Sequence, residues 1–121
     1  MAKTPKIARI THAEELPTSP LAESEPAHFY VEGKVQAVGY RHWSVMTATE
    51  LGLRGWVRNR TDGSVEILLS GETATKREFM AAALIGPRHA RVAALLPIHG
   101  SAEDLDQLPE LTNSFRQIDS L

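Results

Sequence analysis

Between Gly33 and Arg41 the chain reads Gly-Lys-Val-Gln-Ala-Val-Gly-Tyr-Arg. A strand-like apolar run, His28-Phe29-Tyr30-Val31, precedes it, and a helix-like run from Trp43 to Ala48 follows. No other segment constrains the chain as much. A glycine-containing loop between a strand and a helix can turn several backbone N–H groups towards one point, with the positive end of the helix dipole behind it. Arg41 adds a planar, permanently charged fork at the mouth of the loop, a geometric match to a tetrahedral oxyanion. The junction predicts a small anion site, for a phosphate group.

A second segment fits the same picture. Gly55 to Arg60 reads as a short strand and Thr61-Asp62-Gly63 as a hairpin turn, since Asp-Gly between two alternating apolar runs is a strong hairpin signal. Its partner, Val65 to Leu69, places Val65, Ile67 and Leu69 on one face. Asn59 sits just before the turn, where an amide can orient a water or a ligand oxygen.

The remaining elements follow from period and punctuation. The first strand is expected over about 28–35 and the first helix over about 41–52, with Val45 and Ala48 on its apolar stripe and Gly52 closing it. A second helix is expected over roughly 73–85. Thr75 and Glu78 have capping-box spacing, Phe79, Met80, Ala83 and Leu84 form the buried face, and Gly86-Pro87 stops it. A fourth strand covers about 90–98, a loop 100–113, and Ser114 to Ile118 suits a last edge strand. The order β-α-β-β-α-β matches an α+β, ferredoxin-like split βαβ arrangement, with two helices on one face of an antiparallel sheet. Residues 1–26 are rich in proline, glutamate and serine and read as a flexible N-terminal arm, leaving 27–121 as one domain. Ile7 to Ile10 could add transiently to a sheet edge, but disorder is favoured for it too.

Composition narrows the function classes. A net charge of −2 over 121 residues provides no global basic field for nucleic acid. The chain has no cysteine, which excludes disulfides and thiolate chemistry and is compatible with a cytoplasmic location. No apolar run is long enough for a membrane span, and no His, Asp or Glu cluster has metal-ligand spacing.

The two motifs resemble those of the acylphosphatase family, whose pattern is G-x-V-Q-G-V-x-[FY]-R, a helix, then L-G-L-x-G-W-V-x-N-x-x-D-G-x-V. Here the blocks read Gly33 to Arg41 and Leu51 to Val65, in the same order and at a fitting distance. The resemblance covers roughly residues 27–97 well and the C-terminal segment weakly. It implies hydrolysis of acyl phosphates to a carboxylate and inorganic phosphate without metal or cofactor; a monomer is expected, although the sequence does not decide oligomeric state. In that scheme backbone N–H groups of Gln36, Ala37, Val38, Gly39, Tyr40 and Arg41 cradle the phosphoryl oxygens. Arg41 binds two of them, and Asn59 orients the water. The chain departs from the pattern at Ala37, where the family usually has glycine. Retention of the flanking residues favours a negative φ at Ala37, with the cradle formed as in the family.

Each residue alone has a plainer reading. An arginine at a helix start is ordinarily a solvated charge, and an asparagine before a turn is ordinarily just that. Together, in this order, they favour the site. Tyr40 and Trp56 read as packing residues, while Trp43 is placed to pack or to flank an acyl pocket. Of the histidines, only His42 adjoins the site, where a solvent-facing place is the default. Arg54, Arg58 and Arg60 read as surface charge, with attraction of anionic substrates second. The alternatives are an impaired phosphate- or carbamoyl-phosphate-binding module, motivated by Ala37, and more remotely an RNA-recognition-like domain. Against the latter, Val65 to Leu69 carries no aromatic residue and includes Glu66.

Overall fold

The computed structural model describes residues 9–16, 26–98 and 108–121. It contains β1 (Ala27–Lys34), α1 (Tyr40–Glu50), β2 (Arg54–Asn59), β3 (Val65–Ser70), α2 (Thr73–Ala83), β4 (Arg91–Pro97) and β5 (Phe115–Gln117). The sheet order is β4-β1-β3-β2-β5. The first four strands pair antiparallel, whereas β5 runs parallel to β2, so the sheet is mixed. The expected α+β, ferredoxin-like arrangement is present, and the fifth strand departs from a purely antiparallel sheet. A strand returning to the far edge from β4 arrives after a long connection, which permits either direction.

Alternation assigns the faces. Phe29 and Val31 of β1 lie opposite Ile67 and Val65 of β3, and all four are buried on the helix-covered side. β3 is central, and all six of its residues are buried. Phe79 of α2 joins the layers, with ring centroids 6.5 Å from Phe29, 5.7 Å from Trp43 and 6.1 Å from Phe115. Helix α1 ends before Gly52, whose φ is 72°. Helix α2 starts at Thr73 with Glu72 as its N-cap, so Thr75 lies inside the helix and not at its cap.

The first described residues depart from the reading of 1–26 as a flexible arm. Ile10 pairs with Leu95 on the outer edge of β4 through two 2.8 Å backbone hydrogen bonds. Ile10 and Leu16 are only 2% and 3% exposed and belong to the core, with a 3-10 turn, Ala13–Glu15, between them. The pairing also covers a length of open sheet edge. The rest of the expected arm lies outside the described residues. A chain without this segment re-exposes the apolar surface that Ile10 and Leu16 cover and leaves the edge of β4 open. A chain beginning at Ala27 should therefore melt about 4–8 °C lower. An unchanged melting temperature would return residues 9–16 to the status of a free arm.

The other sheet face holds a buried ion network. Glu66, 1% exposed, accepts 2.8 Å hydrogen bonds from Arg58 Nε and Arg60 Nη1 and lies 2.6 Å from His28 Nε2. Arg58 lies over the Trp56 ring and Arg60 over the Tyr30 ring. Trp56 is fully buried, and its Nε1 donates to the Pro109 carbonyl at 2.9 Å. Arg58 and Arg60 are thus structural ion-pair partners, 11% and 23% exposed, and not the surface charges their positions suggest. Burial pushes the Glu66 carboxyl up, but hydrogen bonds from His28, Arg58 and Arg60 together outweigh it and hold the pKa at about 2.

Candidate active site

The loop between β1 and α1, the first turn of α1, the end of β2 and β5 converge at one end of the helix-covered face. Val35, Ala37, Gly39, Tyr40, Arg41, His42, Asn59 and Gln117 line a concavity of about 200 Å³. That is below the roughly 300–1,000 Å³ of pockets for drug-sized ligands, so the site suits a small one. No acidic residue lines it. Among the described residues, no group of three or more His, Asp or Glu could hold a metal ion.

The loop has the shape of an anion cradle. Ala37 and Gly39 have φ of 62° and 81°, while Gln36 and Val38 between and beside them do not have positive φ. Such alternation turns successive N–H groups to one side and forms a concavity for anions. Gly39 is the N-cap of α1 and offers no side-chain cap, and the first turn contains no acid. The leading N–H groups of α1 therefore remain open to a ligand. The negative φ expected at Ala37 is wrong: the run into α1 demands a left-handed residue there despite its side chain. Alanine pays about 1 kcal/mol or more for this conformation. Ala37→Gly should raise the melting temperature by about 4 °C and change kcat/KM by less than tenfold, because the concavity already forms with alanine present. A hundredfold gain in kcat/KM would show that the methyl group obstructs the cradle.

Arg41 is half-buried at the rim and forms no ion pair among the described residues. Asn59, the last residue of β2, has a buried Oδ1 without a hydrogen-bond partner. An unpaired buried acceptor costs about 1–3 kcal/mol, so this amide is not placed for stability. Gln36 and Val38 do not line the concavity. The Gln36 side chain instead ties the loop to the hairpin, donating from Nε2 to the carbonyls of Arg60 at 2.7 Å and Ser64 at 2.9 Å. That clamp spans the turn directly after Asn59 and holds the two halves of the site in register. Asp62 rigidifies the same turn by accepting from Ser64 Oγ at 2.6 Å and Ser64 N at 2.9 Å.

Tyr40 packs beneath the loop as expected and donates its hydroxyl proton to the Ala83 carbonyl at 2.7 Å. Burial pushes its phenol far up, so it stays protonated as a fixed strut. Trp43 packs on Tyr40 and Phe79 and does not line the concavity. His42 does line it while remaining exposed. His99 lies outside the described residues. Sequence reasoning missed Gln117, because only the pairing of β5 with β2 brings that residue to the site.

A model of the family described as Acylphosphatase matches residues 27–109. The chain is 44% identical over 92 residues to the acylphosphatase of Cupriavidus pinatubonensis, covering 72% of this chain and 99% of that protein. It is 38% identical over 88 residues to the acylphosphatase of Nitrobacter winogradskyi, covering 73% and 79%. Among solved structures, the acylphosphatase from Bacillus subtilis superposes with a TM-score of 0.65 at 31% identity, covering 77% of this chain and 97% of that one. With its loop, arginine, asparagine and sheet order in place, the chain belongs to the acylphosphatase family.

Proposed function

We infer that this chain hydrolyses acyl phosphates, the mixed anhydrides of a carboxylic and a phosphoric acid. The observation that carries the mechanism is the pairing, in one small concavity, of an unneutralised Arg41 with an unpartnered Asn59 Oδ1 beside a left-handed N–H cradle. The family membership supports the reaction itself.

The loop N–H groups and Arg41 hold the non-bridging oxygens, whose charge persists throughout the transfer. Asn59 orients a water on the far side of phosphorus from the acyl group. The water oxygen bonds to phosphorus as the bond from phosphorus to the acyl oxygen breaks, and that bonding pair leaves with the carboxylate. The phosphate product retains the water oxygen and one of its protons, and the other proton goes to a phosphate oxygen or to solvent. A carboxylate leaves readily, so no strong general acid is needed. A monomer is the working unit in this reading. A chain without cysteine suits the reducing cytoplasm as its location.

The test is steady-state hydrolysis of an aryl acyl phosphate, with inorganic phosphate added as a competitive inhibitor. Arg41→Lys keeps the charge but loses the two-pronged fork, and should lower kcat/KM by at least on the order of tenfold with little effect on melting. Absence of turnover in the native chain would defeat the reading. Native turnover in the lysine variant would remove Arg41 from the mechanism.

A further inference from the structure

We propose that Gln117 is a second holder of the attacking water, acting beside Asn59. The inference rests on the hydrolytic reading above and adds a residue that the two family motifs do not contain. Gln117 lines the concavity. Its exposed carboxamide makes no hydrogen bond among the described residues.

The sheet register places it. Gln117 pairs with Val57 and Phe115 with Gly55 in the parallel ladder between β5 and β2. Side chains two apart on a strand share a face, so Val57 and Asn59 point the same way, as do Phe115 and Gln117. Phe115 is buried in the core beneath the helices, which fixes that common face as the helix-covered one. Neighbouring strands lie about 4.8 Å apart, so the Gln117 side chain stands next to that of Val57 and diagonal to that of Asn59. The pairing continues to the site itself, since Ile118 N donates to Val57 O and Leu121 N to Asn59 O, each at 3.0 Å. Both amides are therefore carried on paired, neighbouring strands of one sheet.

The chemistry then selects the ligand of Gln117. An in-line displacement keeps the nucleophile and the leaving group on opposite sides of phosphorus. Asn59 marks the nucleophile side, and Gln117 shares it, so the acyl group points away from both. A water aiming a lone pair at phosphorus must direct its two protons elsewhere. One acceptor fixes one proton and leaves the molecule free to swing about that bond. Two acceptors, Asn59 Oδ1 and Gln117 Oε1, fix both and orient the lone pair.

The experiment compares native chain, Gln117→Ala, Asn59→Ala and the double variant in aryl acyl phosphate hydrolysis with phosphate inhibition. Gln117 is exposed, so its variant should melt with the native chain. We expect kcat to fall about tenfold in Gln117→Ala, with KM and the phosphate inhibition constant within about twofold of native. On the Asn59→Ala background the same substitution should cost less than about twofold, because a water already unheld has little orientation left to lose. A kcat within twofold of native overturns the proposal. So does a rise in KM at unchanged kcat, which would make Gln117 an acyl-group contact, and so does a full tenfold loss on the Asn59→Ala background. Turnover by the native chain tests the hydrolytic reading separately, and the proposal stands or falls on the ratios between variants.

Discussion

Asn59→Ala should turn over an aryl acyl phosphate on the order of a hundredfold more slowly at saturation, the scale on which misplacing a reactant is felt. Inorganic phosphate should still inhibit it competitively, with nearly the native constant. The split follows from where the parts lie. The cradle and Arg41 belong to the loop and the first turn of α1, whereas Asn59 belongs to the end of β2. Removing its amide leaves every phosphate ligand in place and removes only the acceptor for water. Its Oδ1 has no hydrogen-bond partner to lose, so folding should be little affected. Titration calorimetry decides the matter: loss of phosphate binding in this variant would make Asn59 a phosphate ligand and not a water holder.

The largest expected effect on stability comes from the opposite face of the sheet. Glu66→Ala should destabilise the domain by about 3 kcal/mol, because it strands two guanidinium groups in a largely buried place. The melting temperature should fall by on the order of 10 °C, while kcat below the transition stays near native. The same network sets a pH dependence. The Glu66 carboxyl is held at about 2 in the fold against an ordinary value of 4.5. A depressed carboxyl contributes stability that is complete above its unfolded pKa and is lost as pH falls through the folded one. The native chain should lose this contribution between about pH 4.5 and pH 2, and the alanine variant should show a flatter profile over that window. A variant that melts within 2 °C of native would show that both arginines simply turn out to solvent.

The parts of the site that were legible in the sequence are those with local chemistry. A strand, a loop ending in Gly39-Tyr40-Arg41 and a helix specify an anion cradle without reference to the rest of the chain. Asp62-Gly63 specifies the hairpin that carries Asn59. The ion network was missed: the hairpin register sets Arg58 opposite Glu66 in the ladder, but Arg58 and Arg60 read as surface charge. Burial of the pair was not legible, because it depends on Tyr30 and His28 arriving from β1. Ala37 misled for a physical reason: its side chain argues for negative φ, and the opposing demand comes from the loop geometry. Ile10 and Leu16 were masked by neighbours rich in proline and glutamate, and only the edge of β4 gives them a place to be buried. The direction and register of β5 lay beyond local reading, since three residues on an edge take their alignment from the strand beside them.

The parallel pairing of β2 with β5 has a consequence for the order in which this domain assembles. Between these two strands the chain must first traverse β3, α2 and β4. Closing so long a loop draws no reward until the core that receives Phe115 exists. Short edge segments are also the first to open when a native domain fluctuates. Asn59 and Arg41 can thus be in position, and phosphate can bind, in a molecule whose outer strand is undocked and whose nucleophilic water has lost a neighbour. Having folded and being ready to react are separate conditions for this chain, set by different strands.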